Sequence, residues 1–457
     1  MAPQNIGIKA IEIYFPSRYV AQSDLEQFLG TSPGKYTVGL GQTNMSFCDD
    51  REDTNSLALT AVSALLTKNK INLSTIGRLE VGTETLLDKA KSTKTVLMSL
   101  FMPYTDIEGV DTYNACYGGT AALLNAVHWI ESSGWDGRDA IVVAADIAMY
   151  DTLAARPTGG AGCVAMLIGA DAPLVFESTR ASFMRHEYDF YKPNFGAEYP
   201  IVDGRVSASC YLEALGGCYR AYLGKKREGK GKVTVNGGLG GPAEGLAPVT
   251  TPLDEFDFFV FHAPYCKLVS KAYAQLLYDD LVTHPENPII GPGVVPSTVN
   301  KFSLQDKSLE KHFIGLSRER FLQRVQPSLT CPTMCGNMYT ASVYSGLVSL
   351  LSNVPNDELL GKQIGVFSFG GGLASTLFSL RVTGDVQSLV QNLDLDTRLA
   401  QRERVSAEFY DEMCQLREKA YQQRDYTPVG DVDALAPGTY YLVHVDEMYR
   451  RTYAVKE

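Results

Sequence analysis

The two halves of this 457-residue chain carry secondary-structure patterns in the same order, and a repeated order restricts the fold more than any single motif. Each half has the pattern of a strand, a helix, a second helix with an unusual first turn, and a closing pair of strands. The repeat is visible in the residues that open the second helix, because Gly118 to Ala122 parallels Met338 to Ser342. The pattern predicts an internally duplicated α/β protein.

Apolar periodicity and helix-forming composition place the individual elements. In the first half, strands are predicted over Ile6–Phe15, Leu79–Thr83, Ala140–Ala145 and Gly160–Ile168. Helices are predicted over Asp53–Leu66 and Ala121–Ile130. The second-half predictions are a strand over Phe256–Phe261, a helix through Lys267 and Leu276, a helix led by Met334–Ala341 and running through Leu351, and strands over Ile364–Phe369 and Leu373–Val382. Two further predictions follow the duplicated part, namely one amphipathic helical segment from Asp396 to Tyr421 and a strand pair from Tyr440 to Val455.

The segment between the halves has a different composition. Gly224 to Pro248 is first basic and then rich in glycine, which is typical of an exposed loop. The basic part, from Lys225, has the charge to touch a phosphate, but a solvated linker is the favoured interpretation.

Charge and cysteine content exclude several kinds of partner and compartment. A formal net charge of −11 argues against nucleic acid or an anionic membrane as the main partner. Nine cysteines without the spacing of a disulfide framework indicate a reduced, intracellular protein. No apolar run is long enough to span a bilayer, so we expect a cytoplasmic protein.

Cys116 lies directly before the predicted helix from Ala121 to Ile130. Unsatisfied N–H groups at a helix N-terminus favour the thiolate and lower a cysteine pKa, and Gly118 and Gly119 leave room for a substrate carbonyl. The pattern suits a nucleophile that attacks a thioester. A small buried hydrophobe at a tight turn fits the local pattern equally well.

Glu84 and His262 each follow a predicted strand and would converge with Cys116 in a duplicated fold. A buried carboxylate at a strand end has a raised pKa and acts as a base. Taken singly, Glu84 is more simply a solvated residue at a helix start, and His262 a satisfied core imidazole. His262 stands out because the chain has only six histidines.

Two further features of the second half suggest polar contacts to a substrate. Asn337 repeats the helix-entry position of Cys116, where its amide can donate to a carbonyl or simply cap the helix. The Gly370–Gly372 turn offers backbone N–H groups suited to an oxyanion, although a tight hairpin explains it equally well.

Other chemistries are disfavoured. Cys331 and Cys335 are four residues apart, but no second pair follows at ligand spacing, so no metal site is predicted. The chain has no phosphate-binding P-loop and no dinucleotide-binding glycine motif, which removes nucleotide hydrolysis and hydride transfer.

Taken together, the motifs resemble those of hydroxymethylglutaryl-CoA synthases of the eukaryotic type, in the thiolase superfamily. The resemblance covers most of the chain, up to about Val382 and more loosely beyond. It rests on Val81–Thr85, Asn114–Ala122, Ala155–Gly160, Asp189–Pro193, Tyr199–Gly204, Phe261–His262 with Pro264–Lys267, and Gly336–Thr340. It implies a thiolase-like duplicated αβαβα layered fold with extra loops and C-terminal elements, divided into halves at residues 1–173 and 174–457.

The resemblance also implies roles for residues that match the family's motifs. The nucleophile falls on Cys116, the general base on Glu84 and the histidine on His262. The substrate-binding positions that it implies are Asp146, Tyr150, Thr158, Asp203, Lys267, Lys271, Asn337 and Gly370, with the two lysines meeting coenzyme A. Two positions depart from the family pattern, because Phe369 stands where tyrosine is common and Ala263 where a hydroxyl residue is frequent.

The implied reaction joins acetyl-CoA and acetoacetyl-CoA. Cys116 takes the acetyl group, Glu84 removes a methyl proton, and the resulting enolate attacks the ketone, which His262 and Asn337 polarise. The backbone N–H of Cys116 and the glycine turn would steady the oxyanions. No cofactor is expected because the thioester itself activates the acetyl group, and the resemblance implies a homodimer.

Two kinds of alternative remain beside this prediction, namely another enzyme on the same scaffold and a protein without catalytic activity. A ketoacyl synthase on the same scaffold would not need Glu84, and a degradative thiolase would need a second cysteine near Gly370–Gly372. A catalytically silent acyl-CoA-binding protein would not need the set of Glu84, Cys116 and His262.

Overall fold

The computed structural model describes residues 3–229, 251–283 and 307–457. Its strands are β1 (Gly7–Tyr14), β2 (Arg18–Ala21), β3 (Asn44–Ser46), β4 (Ile76–Thr83), β5 (Asp111–Tyr113), β6 (Asp139–Ala148), β7 (Gly160–Gly169), β8 (Leu174–Met184), β9 (Phe190–Tyr191), β10 (Ile201–Val202), β11 (Phe258–Phe261), β12 (Gln363–Gly370), β13 (Ala374–Val382), β14 (Glu403–Val405), β15 (Tyr440–Val445) and β16 (Arg451–Val455).

The described residues also form α-helices. They are α1 (Gln22–Phe28), α2 (Thr54–Lys68), α3 (Thr93–Leu97), α4 (Gly118–Glu131), α5 (Gly204–Arg227), α6 (Cys266–Thr283), α7 (Lys307–Arg324), α8 (Thr330–Cys335), α9 (Ser342–Asn353), α10 (Asn356–Leu359), α11 (Gln387–Leu393), α12 (Leu395–Ala400) and α13 (Ala407–Ala420). Within the described ranges, none of them combines the length and the apolarity needed to cross a membrane.

Nine strands form one mixed sheet in the order β11-β12-β13-β8-β1-β7-β6-β4-β5. On one side, β1 pairs with β7 and β7 with β6 in antiparallel fashion, and β6 pairs with β4 in parallel. On the other side, the β8–β13 and β13–β12 pairs are antiparallel and the β12–β11 pair is parallel. The same succession of three pairings runs outward from β1 and from β8, which confirms the predicted duplication, and β5 adds a further parallel strand beside β4.

The two halves of the sheet meet where Gly7 pairs with Val175 and Ile8 with Leu174. Gly7 is needed at this junction, because a Cβ there would lie 2.0 Å from the carbonyl oxygen of Leu174. The junction therefore depends on close backbone approach rather than on side-chain packing.

Two helices form an inner layer between the halves. α9 is buried from Ser342 to Leu351, and α4 is buried along most of its length. Thr120 of α4 bonds the hydroxyl of Tyr344 of α9 at 2.8 Å, which joins the helices directly. Both first turns, which the sequence analysis singled out, therefore come to the centre of the molecule.

The amphipathic segment from Asp396 to Tyr421 is not helical throughout. The segment is divided into α12, the short strand β14, and α13, and β14 pairs in parallel with β2. Ser406 ends the interruption by accepting the N–H of Phe409 and thereby capping α13. The predicted closing strand pair is confirmed as β15 and β16.

The prediction of a central loop from Gly224 to Pro248 is wrong for its first residues, which are helical. Lys225 to Arg227 belong to the last turn of α5. Residues 230–248 lie outside the described residues. The strand β8 and the helix α5 were not predicted from the sequence.

Candidate active site

Cys116 lies between β5 and α4, two residues before the helix begins. Its backbone has φ of 49°, a left-handed conformation that costs a non-glycine residue on the order of 1–3 kcal/mol. The side chain is buried but borders a cavity. The strained turn therefore fixes the direction of the thiol toward that cavity.

The prediction of a lowered cysteine pKa is wrong for this structure. Burial, followed by the negative charge of Glu84, raises the pKa of the Cys116 thiol well above its usual value. Cys116 is therefore a neutral thiol at rest.

The glycines after Cys116 also have a different role from the predicted one. A Cβ on Gly118 would lie 2.8 Å from the carbonyl oxygen of Thr112, and one on Gly119 would lie 2.6 Å from that of Thr340. These glycines admit neighbouring backbone rather than a substrate carbonyl. They allow the helix carrying the thiol to pack against both halves of the molecule.

Glu84 follows β4 and lies against Cys116. Its Oε2 accepts the backbone N–H of Cys116 at 2.5 Å, and its Oε1 lies 2.9 Å from Nζ of Lys192. The predicted use of this N–H for a substrate oxyanion is therefore blocked while Glu84 holds it. Burial, opposed by Lys192, raises the pKa of Glu84.

Asp146 lies behind Glu84 and does not border the cavity. One carboxylate oxygen accepts the N–H groups of Glu84 and Thr85, at 2.8 and 3.0 Å, and the other accepts that of Thr340 at 2.9 Å. Asp146 thus links Glu84 in the first half to the inner turn of the second half. Its oxygens are already engaged by protein groups, in contrast to the substrate contact that the sequence predicted.

His262 follows β11 and borders the same cavity as Cys116. The hydroxyl of Tyr211 donates to the carbonyl oxygen of His262 at 2.8 Å, and the N–H of His262 donates to Phe367. Among the described residues, the buried Nδ1 has no hydrogen-bond partner. Burial lowers the pKa of His262 to about 3, so its imidazole is neutral at neutral pH.

One cavity of about 360 Å³ brings many of the predicted residues together. Cys116, His262, Asn337, Tyr150 and Thr158 all border it. The side-chain oxygen of Asn337 accepts the N–H of Tyr339 at 2.9 Å, which sets the orientation of the amide. Much of the remaining wall is apolar, with Ala208 and Tyr211 on α5, Pro264 just before α6, and Leu268 on α6.

Other predicted residues lie beside the cavity rather than on its wall. Asp203 is exposed and caps α5 by accepting the N–H groups of Arg205 and Val206. Lys267 is partly exposed in the first turn of α6, next to Leu268 of the wall. Lys271 is 3.3 Å from Glu310 and is therefore already paired.

Gly370 serves packing instead of a direct oxyanion contact. A Cβ there would lie 1.6 Å from the carbonyl oxygen of Ala115, so the β12–β13 turn packs against the residue before Cys116. Gly371, the next residue, borders the cavity. The N–H of Gly372 donates to Asp189 at 2.8 Å, which occupies another of the predicted donors.

The two departures from the family pattern have local partners. The N–H of Ala263 donates to the hydroxyl of Ser342 at 3.1 Å, so a hydroxyl group is present beside Ala263 although its own side chain has none. The ring of Phe369 packs against that of Tyr211, with centroids 5.1 Å apart.

Sequence reasoning assigned no role to Lys192, although it lies in one of the motifs that carried the resemblance. The available signal was a lysine between aromatic residues and proline, in Phe190–Pro193. No group of three or more His, Cys, Asp or Glu residues in the described ranges is arranged to hold a metal ion.

A duplicated sheet with a cysteine, a glutamate and a histidine gathered between its halves defines a thiolase-like condensing enzyme. Comparison with models of known protein families identifies the family within this class. The model described as hydroxymethylglutaryl-coenzyme A synthase N terminal matches residues 2–173, and the corresponding C-terminal model matches residues 174–456. The chain belongs to the hydroxymethylglutaryl-CoA synthase family.

Individual relatives extend over nearly the whole chain. The hydroxymethylglutaryl-CoA synthase erg13A of Aspergillus fumigatus is 64% identical over 453 residues, covering 99% of this chain and 96% of that protein. The hydroxymethylglutaryl-CoA synthase of Saccharomyces cerevisiae is 51% identical over 456 residues, covering 100% of this chain and 91% of that protein. A solved structure of MvaS in complex with 3-hydroxy-3-methylglutaryl coenzyme A has a TM-score of 0.83 at 33% identity, covering 99% of this chain and 100% of that one.

Proposed function

We propose that this protein condenses acetyl-CoA with acetoacetyl-CoA and water to give 3-hydroxy-3-methylglutaryl-CoA and free coenzyme A, an early step of isoprenoid and sterol synthesis. The observation that carries the proposal is the contact between Glu84 and Cys116 beside a cavity that also contains His262. A thiol nucleophile, a carboxylate base and a neutral imidazole are the groups that this condensation requires.

The first half-reaction is acetyl transfer. Cys116 loses its proton and its sulfur attacks the carbonyl carbon of acetyl-CoA, and the carbon–sulfur bond to coenzyme A breaks. The coenzyme A thiolate takes up a proton as it leaves. His262 lies on the same cavity wall, but its lowered pKa makes its imidazole a weak base, so the proton that Cys116 loses is the one that the leaving thiolate takes up.

The second half-reaction forms the carbon–carbon bond. Glu84 takes a proton from the acetyl methyl group, and the resulting enolate attacks the ketone carbon of acetoacetyl-CoA. The new alkoxide takes up a proton, while His262 and Asn337 hold the ketone oxygen through hydrogen bonds. Water then cleaves the thioester to Cys116 and restores the thiol.

Glu84 has to move during this cycle. In the resting structure it accepts the N–H of Cys116, which is a suitable donor to the oxyanion that forms at the acetyl carbonyl. We infer that acetylation displaces Oε2 from this N–H. The displaced oxygen then lies near the methyl group that it deprotonates.

Substrate binding uses the apolar wall and the basic residues outside it. The apolar faces of α5 and α6 suit the pantetheine arm, and Lys267 at the start of α6 is placed to meet a phosphate of coenzyme A. Lys271 is a weaker candidate because Glu310 holds its ammonium. The proposal includes no cofactor, since thioester chemistry supplies the activation.

Assembly and location complete the proposal. β5 forms one outer edge of the sheet, and Tyr113 and Val110 beside it are exposed. An exposed edge strand offers unpaired backbone N–H and C=O groups to a second copy, so we propose a homodimer, which sedimentation equilibrium tests. All nine cysteines are free, in keeping with the reduced environment of the cytoplasm.

The proposal is tested by mixing the enzyme with both thioesters and identifying the product by mass. We expect hydroxymethylglutaryl-CoA with one coenzyme A released per product. Cys116→Ala should abolish enzyme acetylation, whereas Glu84→Ala should still acetylate but not condense. Cys266→Ala, which changes a buried cysteine absent from the cavity wall, is the matched control.

Distinct outcomes separate the alternatives. Acetylation that persists in Cys116→Ala would place the nucleophile elsewhere. Binding of both thioesters without acetylation of the wild-type protein would favour a silent acyl-CoA-binding protein. Equal loss of acetylation and condensation in Glu84→Ala would contradict the separate role of the base.

A further inference from the structure

Lys192 is a buried cation beside the proposed base. It directly follows β9, and its Nζ lies 2.9 Å from Oε1 of Glu84 and 4.8 Å from the ring centroid of Tyr339. The exposed fractions of the Lys192 and Glu84 side chains are only 18% and 5%. A largely enclosed ion pair is screened less than one on the surface, so each partner strongly affects the charge of the other.

The charges around Glu84 make this lysine important. Burial raises the pKa of Glu84, Lys192 opposes that rise, and Asp146 adds to it. The thiol of Cys116 and the phenol of Tyr339 both have raised pKa values and are neutral. Among the described groups that shift Glu84, Lys192 is therefore the positive charge that favours its ionised form.

The lysine itself is held in its charged form. Burial alone would lower the pKa of Lys192, but Glu84 and then Asp146 outweigh it, and the pKa is raised. Glu198 contributes in the same direction. The site thus contains one buried ammonium among three carboxylates.

The segment that carries Lys192 is fixed at several points. Asp189 accepts the N–H of Gly372 at 2.8 Å, and its carbonyl oxygen accepts the N–H of Asp203 at 3.1 Å. Farther along, Glu198 accepts two bonds from Arg417 of α13, at 2.9 and 3.3 Å. These contacts hold the segment on both sides of Lys192, and the ion pair with Glu84 holds its side chain.

We propose that Lys192 is the positioning residue of the condensation half-reaction, holding one oxygen of Glu84 in place while the other moves from the Cys116 N–H to the acetyl methyl group. The lysine itself forms no covalent bond and transfers no proton. It keeps Glu84 ionised and limits its motion to a rotation about the held oxygen. This role rests on the proposed function, because it presupposes that Glu84 acts on an acetyl group at Cys116.

The test compares Lys192→Met, which keeps much of the apolar stem, with Lys192→Arg, which keeps the charge. Three rates are measured on the full chain: acetylation of Cys116 by mass, exchange of the acetyl methyl protons with deuterated water, and condensation as a function of pH. Lys9→Met is the control, because Lys9 also bridges a carboxylate, Asp139 at 2.7 Å, but lies outside the site.

We expect Lys192→Met to acetylate at nearly the wild-type rate. Its methyl exchange and condensation at neutral pH should fall by roughly 100-fold, the lower end of what a general base contributes. The acidic limb of the condensation profile should move upward by about one to three pH units, because Glu84 loses its opposite charge. Raising the pH should then recover activity, and Lys192→Arg should retain most of it at neutral pH.

Two results would overturn the role of Lys192. One is wild-type methyl exchange in Lys192→Met. The other is a loss of condensation with no change in the pH profile, as a purely structural ion pair would give. If the methionine variant does not fold, Lys192→Gln provides the same three rates. Failure of the wild-type protein to acetylate or condense would instead remove the proposed function.

Discussion

Gly82 of β4 sets the position of the helix that follows the nucleophile, and Gly82→Ala tests this directly. A Cβ at residue 82 would lie 2.3 Å from both the N and the Cα of Gly119, which are backbone atoms of α4. Carbon atoms in contact are about 3.5 Å apart, so the first turn of α4 must move by about 1.2 Å. A displacement of about 1 Å in an active site costs on the order of 100-fold in rate.

We therefore expect Gly82→Ala to acetylate Cys116 about 100-fold more slowly, measured by quenched-flow mass spectrometry with acetyl-CoA. Overpacking of this kind also lowers the free energy of unfolding by about 1–3 kcal/mol, which urea titration measures. Gly315→Ala in α7 is the control, since a Cβ there meets no atom within 4 Å. Wild-type stability together with wild-type acetylation in Gly82→Ala would refute the reasoning.

Two further predictions concern stability. The native state keeps His262 neutral because burial lowers its pKa to about 3, whereas the unfolded chain binds the proton below about pH 6.5. The contribution of His262 to stability is therefore fully present above that pH and is lost as the pH falls toward 3. His262→Gln should make the free energy of unfolding depend less steeply on pH in this range. Curves of unfolding free energy against pH that run parallel for the variant and the wild type would contradict this. Arg417→Met should cost about 3–5 kcal/mol in urea unfolding because it leaves Glu198 buried without its partner. Adding Glu198→Gln should restore part of the loss, and a double variant no more stable than the single one would speak against the pair.

The duplicated fold was accessible from the sequence because strand order and helix entry repeat in its pattern. The strand β8 was missed, although it joins the second half to β1. Its burial varies irregularly along the strand, so no alternation of apolar residues marks it. The break between α12 and α13 was missed because amphipathic spacing continues across it, while pairing with β2 depends on residues far away in the chain.

At the site, residue types were easier to predict than their electrostatics. The pattern around Cys116 correctly placed the residue beside a helix start, but the pKa direction depended on burial and on Glu84, more than thirty positions away. The roles of Gly118 and Gly119 depended in the same way on backbone that arrives from Thr112 and Thr340. Local sequence shows which reactive groups are present, whereas tertiary contacts decide their protonation state and how closely other backbone approaches them.

The β1–β8 junction has a consequence for how such a site is maintained. The thiol and the carboxylate belong to one half, whereas the imidazole, the amide and the buried lysine belong to the other. Each half alone holds an incomplete set of reactive groups. Because one chain contains both halves, they are always present in equal number and at a high local concentration, and neither can be exchanged for a mismatched copy.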